Sequence, residues 1–167
     1  MPISMSAVAL GSFEQTLGAL SKILDKAAAH CTAKKIDPAV IMGMRLTPDM
    51  LPFVKQVQLT SDFAKNGVGR MVGEPPKFPD EEKTFDELKA RIAKSLDYVR
   101  SIKAADIDAA ADKDVTFPVG PQSMTLPGVT FLTSFVLPNF YFHATTAYDI
   151  LRQAGVEIGK RDFLGRA

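Results

Sequence analysis

The sequence predicts an all-α fold: four helices packed as a bundle, with a small β-hairpin between the third and the fourth. Three observations predict it. Leu10, Phe13, Leu17, Leu20, Leu24, Ala27 and Cys31 step alternately by three and four, which places one apolar stripe on one helix face. Thr84-Phe85-Asp86-Glu87 has the spacing of a capping box and opens a second such stripe. Val129–Gly155 is the most apolar and aromatic stretch of the chain, and its Leu132, Phe135, Asn139, Phe142 (with His143), Thr146 and Ile150 again step by three and four.

Length and composition bound the answer. The 167 residues fit one domain spanning 1–167, and a hydrophobic fraction of 46% is ordinary for a globular core. A net charge of +1 gives no argument for nucleic acid or for an acidic membrane surface. Met1 to Phe13 lacks a basic start followed by a long apolar run, so no signal peptide is expected. The apolar run Val129–Phe142 is interrupted by Ser134, Pro138 and Asn139 and falls short of the roughly 20 residues of a membrane span. One cysteine allows no internal disulfide and suits a cytoplasmic protein.

Each element has its own signals. The first helix is expected from about Ala7 to Lys34, and its regular stripe favours shallow crossing angles. Ile36-Asp37-Pro38 stops it, and Asp37-Pro38 caps a short turn through Met42. Thr47-Pro48-Asp49 resembles a helix start, but Pro52 would cost a helical hydrogen bond there, so the second helix begins properly near Leu51. Its core face uses Phe53, Val57, Ala64 and Met71, with Leu59 and Phe63 beside them and Gln56 on the edge. Gly67, Gly69 and Gly73 weaken its last turns, and Gly73-Glu74-Pro75-Pro76 breaks it. Lys77–Lys83 is a polar connection. The third helix buries Phe85, Leu88, Ile92, Leu96, Val99 and Ile102, with Glu87, Lys89, Arg91, Lys94, Asp97 and Arg100 on its solvated side.

Val115, Phe117 and Val119 alternate, Gly120-Pro121 turns, and Met124 and Leu126 alternate again, which reads as a hairpin with Pro118 on an edge. In the fourth helix Pro138 removes a donor and clashes with the preceding turn, so a bend at Ser134–Pro138 is expected. Gly155 fits a left-handed stop. The opposite face of this helix, with Leu137, Tyr141, Ala144 and Tyr148, suits an interface between two copies. Phe163 and Leu164 pin the basic tail, which runs to Ala167.

Three motifs add to this reading. Leu137-Pro138-Asn139-Phe140-Tyr141-Phe142-His143, then Thr146-Ala147-Tyr148, then Gly159-Lys160-Arg161-Asp162-Phe163-Leu164-Gly165, together with Pro48-Asp49-Met50 and Gln56-Val57, resemble a bacterial family of unknown function within the DinB/YfiT-like superfamily. The resemblance covers nearly the whole chain. It implies a DinB-like four-helix bundle, commonly a homodimer. Many members bind a divalent metal such as zinc or nickel through three histidines, one on the second helix and a His-x-x-x-His pair on the last. Some members are thiol-dependent transferases. His143 matches the second histidine of that pair, Asn139 stands where the first should be, and Gln56 occupies the equivalent place on the second helix.

Two amides and one imidazole are weak company for zinc, because amide oxygens bind it far less well than imidazole does. The expectation is therefore a degenerate triad with no cofactor. His143, Asn139, Gln56 and Thr146 form a buried polar cluster or line a small cavity for a ligand, and His143 is the one candidate metal ligand. Burying such groups unpaired costs about 1–3 kcal/mol each, so pairing is expected. His30 reads as a helix-end residue and Cys31 as a buried, inert thiol. No nucleophile motif or phosphate loop is present, and no catalytic residue is assigned. The expected function is a dimeric small-ligand-binding or structural protein. The alternative is a divalent-metal-dependent hydrolase or thiol transferase with His143 as ligand or general base.

Overall fold

A computed structural model describes residues 3–166; the expectations for Met1, Pro2 and Ala167 lie outside them. The described chain is mostly helical, with one two-stranded antiparallel hairpin. Four long helices carry the core: α1 (Met5–Lys34), α3 (Phe53–Val72), α4 (Phe85–Ser101) and α7 (Leu137–Gln153). Short helices α2 (Pro38–Gly43), α5 (Ala104–Asp108), α6 (Gly128–Thr130) and α8 (Lys160–Phe163) connect or flank them. The strands are β1 (Asp114–Val119) and β2 (Gln122–Pro127), in register from Asp114 opposite Pro127 to Val119 opposite Gln122. Among the described residues no helix is long and apolar enough to cross a membrane.

The α1 stripe is buried from Phe13 to Cys31. Ser4 caps the helix, accepting a hydrogen bond from the Ala7 N–H, and Lys35 ends it in the left-handed region at φ 56°. Asp37 caps α2 as expected. Thr47-Pro48-Asp49, by contrast, forms a turn in which the Thr47 hydroxyl donates to Asp49. The helix begins only at Phe53, because Pro52 has no N–H to enter an earlier ladder. Thr84 and Glu87 form the reciprocal capping box of α4.

Side-chain pairs fix the helix directions. Glu14 meets Arg100 and Asp25 meets Lys89, so α1 and α4 are antiparallel. Asp62 meets Arg91 while Gly69 lies against Tyr98, so α3 and α4 run the same way. Gln56 meets His143 and Phe63 meets Phe135, so α3 runs against α7.

Two parallel neighbours in sequence need a connection that returns along their length. Segment 73–84 is that return. Lys65 donates to the Pro76 carbonyl, Lys55 pairs with Asp80, and Gln58 donates to Glu82. This corrects the placement of Arg91 on a solvated face. Its side chain is 1% exposed. Asp62, Asp80 and Glu82 each approach it to 3.0 Å, and the carboxylates brought in by the return segment make its burial tolerable.

Gly67 has a packing role rather than a merely weakening one. A Cβ there would lie 2.6 Å from Val136 Cγ1, so its absence lets α3 close on the segment before α7. The helix continues to Val72, past Gly67 and Gly69.

Where a bend was expected the last helix is unbroken, passing from α-helix through a π-helical turn back to α-helix. Phe131–Val136 is a π-turn, in which the Leu137 N–H donates to the Leu132 carbonyl five residues back. Pro138, in the first turn of α7, has no donor to miss. The extra residue in the π-turn rotates everything after it relative to a uniform 3.6-residue count. The buried residues of α7 are Phe140, His143, Ala144, Thr146, Ala147, Ile150 and Leu151, so the expected His143, Thr146 and Ile150 stay inward while the stripe widens toward Phe140, Ala144 and Leu151. Phe142, expected inward, is 54% exposed, and Ala144, expected outward, is buried. Tyr148, also expected outward, packs edge-on against Phe163 of α8.

The tail is pinned through Lys26 to Asp162 and through the Gln15 amide to the Leu164 carbonyl. Gly155 adopts φ 83° at the predicted stop. In the hairpin Val115 and Phe117 are buried, whereas β2 stays largely in solvent. Phe117 holds the hairpin down by packing its ring on Phe131 and Phe135.

Candidate functional site

Gln56 lies in the first turn of α3, and its position is fixed three times over. Its N–H donates to the Pro52 carbonyl, its own carbonyl accepts from the Thr60 hydroxyl, and its side-chain Nε2 donates to the Leu51 carbonyl at 3.0 Å. With Nε2 so engaged, Oε1 faces α7. There it meets His143 Nδ1 at 2.7 Å in a buried contact.

An amide oxygen only accepts, so Nδ1 must carry the proton. Burial lowers the pKa of His143 below the ordinary histidine range. The ring is then neutral near pH 7, and its Nε2 holds a lone pair. That atom makes no hydrogen bond among the described residues. Phe63 stacks on one face of the imidazole, with centroids 5.5 Å apart and planes 18° apart, and Phe142 meets it edge-on. The arrangement presents a fixed, neutral acceptor, suited to receiving a hydrogen bond or a proton.

The other two expected residues do not join the pair. Asn139 is half-buried and turns its Nδ2 back to the Phe135 carbonyl at 2.7 Å, beside Pro138. Thr146 is buried, and its hydroxyl donates to the Phe142 carbonyl at 2.8 Å. Both satisfy their own helix. A cleft of about 190 Å³ lies one ring away: Phe63 and Phe135 line it, and His143 does not.

The donor set fits a three-ligand metal site poorly. Of the two amides, Gln56 spends both side-chain atoms on other partners, and only one imidazole nitrogen is left. Among the described residues no group of three or more His, Cys, Asp and Glu could hold a metal ion. His30 stands apart, half-buried in a groove with Lys26, Lys34 and Glu157. The Cys31 thiol is buried, and burial, helped by Asp37, pushes its pKa up, away from nucleophilic behaviour.

Reasoning from the sequence missed the charged centre formed by Asp62, Lys65 and Arg91. Lys65 is 3% exposed and lies 3.4 Å from Asp62. The available signal was the acidic run Asp80-Glu81-Glu82 shortly before Arg91, which lies three residues after Leu88 and next to Ile92 of the apolar stripe.

Comparison with known proteins supplies a family. A family model described as a domain of unknown function, DUF1993, matches residues 5–164. A solved structure of a DinB family member protein from Shewanella denitrificans is similar at a TM-score of 0.85. It is 41% identical in sequence, over 93% of this chain and 89% of that one. No curated protein matches the chain significantly.

Proposed function

Because the chain belongs to DUF1993, a DinB-like family of domains of unknown function, we propose that it is a single-domain DinB-like four-helix bundle with a degenerate metal triad that binds a small ligand as a homodimer. The observation that carries the reading is the His143–Gln56 pair. The resemblance to the superfamily puts Gln56 at the place of a histidine ligand, and its Oε1 holds His143 in the tautomer whose Nε2 lone pair is free. In this reading a ligand donor bonds to Nε2, and no metal is required.

The homodimer would use the exposed Tyr141 and Phe142 on α7. Ala144 and Tyr148 are spent within the chain. The second reading is a divalent-metal-dependent hydrolase or thiol transferase. The same free nitrogen favours it, since that atom is also what a cation or a substrate proton would seek.

Metal analysis of protein purified without chelator separates the two. Substoichiometric metal, unchanged in His143→Ala, is the expected result. Stoichiometric zinc or nickel lost in His143→Ala would overturn the ligand-binding reading. Light scattering at micromolar concentration tests assembly, and a monomer would remove the dimer from the proposal.

A further inference from the structure

The second feature with the character of a site lies farther along α3, on the far side of Phe63 from His143. Two depressions meet there and share Asp62, Asn66, Arg70 and Pro118. One, of about 190 Å³, has apolar walls from Leu59, Phe63, Phe131 and Phe135. The other, of about 510 Å³, is polar and lies between α3, the start of the return segment and Thr116 of β1. We propose that this cleft binds a small organic carboxylate with an apolar or aromatic body, the carboxylate on Arg70 and Asn66 and the body in the Phe63–Phe135 arm.

The charges decide the ligand class. Asp62 is already matched by Arg91 at 3.0 Å and by Lys65 at 3.4 Å. Lys65 is itself spent on the Pro76 carbonyl and the face of Phe78. Arg70 is different. It is half-buried, yet it has no hydrogen-bond or ion-pair partner among the described residues. Burial lowers its pKa against the opposing pull of Glu74 and Asp62. Asn66, one helical turn earlier and also half-buried, has no hydrogen-bond partner among the described residues either.

A half-buried guanidinium without a partner costs free energy that an anion recovers, and its planar fork matches a carboxylate. Glu74 and Asp62 beside it disfavour a dianion, so phosphate is the poorer fit. The aromatic arm explains why the anion would carry an apolar body. The proposal does not rest on the His143 reading: the two sites share only the Phe63 ring, and neither His143 nor Gln56 lines the cleft.

The test is an amide-resolved NMR titration with phenylacetate, phenylacetamide and inorganic phosphate at millimolar concentration. Phenylacetate is expected to move the signals of Asn66, Gly67, Arg70 and Thr116. Phenylacetamide and phosphate should bind about tenfold more weakly or worse, the difference one charge-assisted pair makes. Arg70→Gln should weaken phenylacetate by the same factor without lowering the melting temperature and should change the phenylacetamide response far less, and His143→Gln should leave phenylacetate binding intact. Equal binding of phenylacetate and phenylacetamide would overturn the proposal. So would stronger binding of phosphate, shifts centred on His143, or no shifts at all.

Discussion

His143 Nδ1 donates to Gln56 Oε1 across 2.7 Å, and this hydrogen bond ties α7 to the first turn of α3. His143→Ala removes a ring packed against Phe63 and leaves Gln56 Oε1 without its donor. The expected cost is on the order of 2–4 kcal/mol in urea melts. The double variant Gln56→Leu with His143→Phe replaces both partners by apolar groups, and since the Leu51 carbonyl that also loses Gln56 Nε2 belongs to an exposed residue, it is expected to melt near the wild type. A double variant as unstable as His143→Ala would show that the hydrogen bond contributes beyond filling space.

Stability should depend on pH through the same ring. The folded pKa of His143 lies below its unfolded value because burial penalises the cation. Between the two values the unfolded chain binds the extra proton. The stabilising term is therefore complete above the unfolded pKa of about 6.5 and is lost as pH falls toward the folded one. Melts from neutral to acid pH are expected to show this slope, and His143→Gln should flatten it. An identical slope in the variant would assign the effect to the carboxylates.

Arg91 is the rivet of the return segment. Arg91→Met strips three carboxylates of their common partner while leaving Asp62 beside buried Lys65. The expected loss is about 3 kcal/mol. Hydrogen exchange should show residues 76–82 opening first. A loss below about 0.5 kcal/mol would mean the cluster behaves as a surface ion pair.

Gly67→Ala places a methyl group 2.6 Å from Val136 Cγ1, inside a buried contact between stiff elements. Destabilisation of about 1–3 kcal/mol is expected. Val136→Ala in the same chain should recover part of it. Additive losses in the double variant would place the strain elsewhere.

Much of the framework was legible in the chain itself. The α1 stripe, the Thr84–Glu87 box, the hairpin alternation around Val115 and Phe117, and Gly155 as a left-handed stop are all local signals. The physics that produces them operates over three or four residues. His143 was legible as an inward residue of the last helix, and Gln56 as its counterpart on α3, since each sits near an apolar stripe.

The remainder depended on contacts between distant segments. The π-turn at Phe131–Val136 added one residue to the count, and that rotated Phe142 outward and Ala144 inward. Periodicity cannot report an insertion that only tertiary packing stabilises. Arg91 reads as a surface residue until segment 73–84 folds back along α3 and brings Asp80 and Glu82 to it. Asn139 and Thr146 were placed on the correct helix, yet their side chains bond to their own backbone. A short polar side chain has a carbonyl of the previous turn always within reach, while a partner across the core must be brought to it. The sequence by itself determined where the long helices lie and which stripe of α1 turns inward. The tertiary structure alone decided which of the inward polar groups meet, because that meeting depends on the register and direction of separate helices.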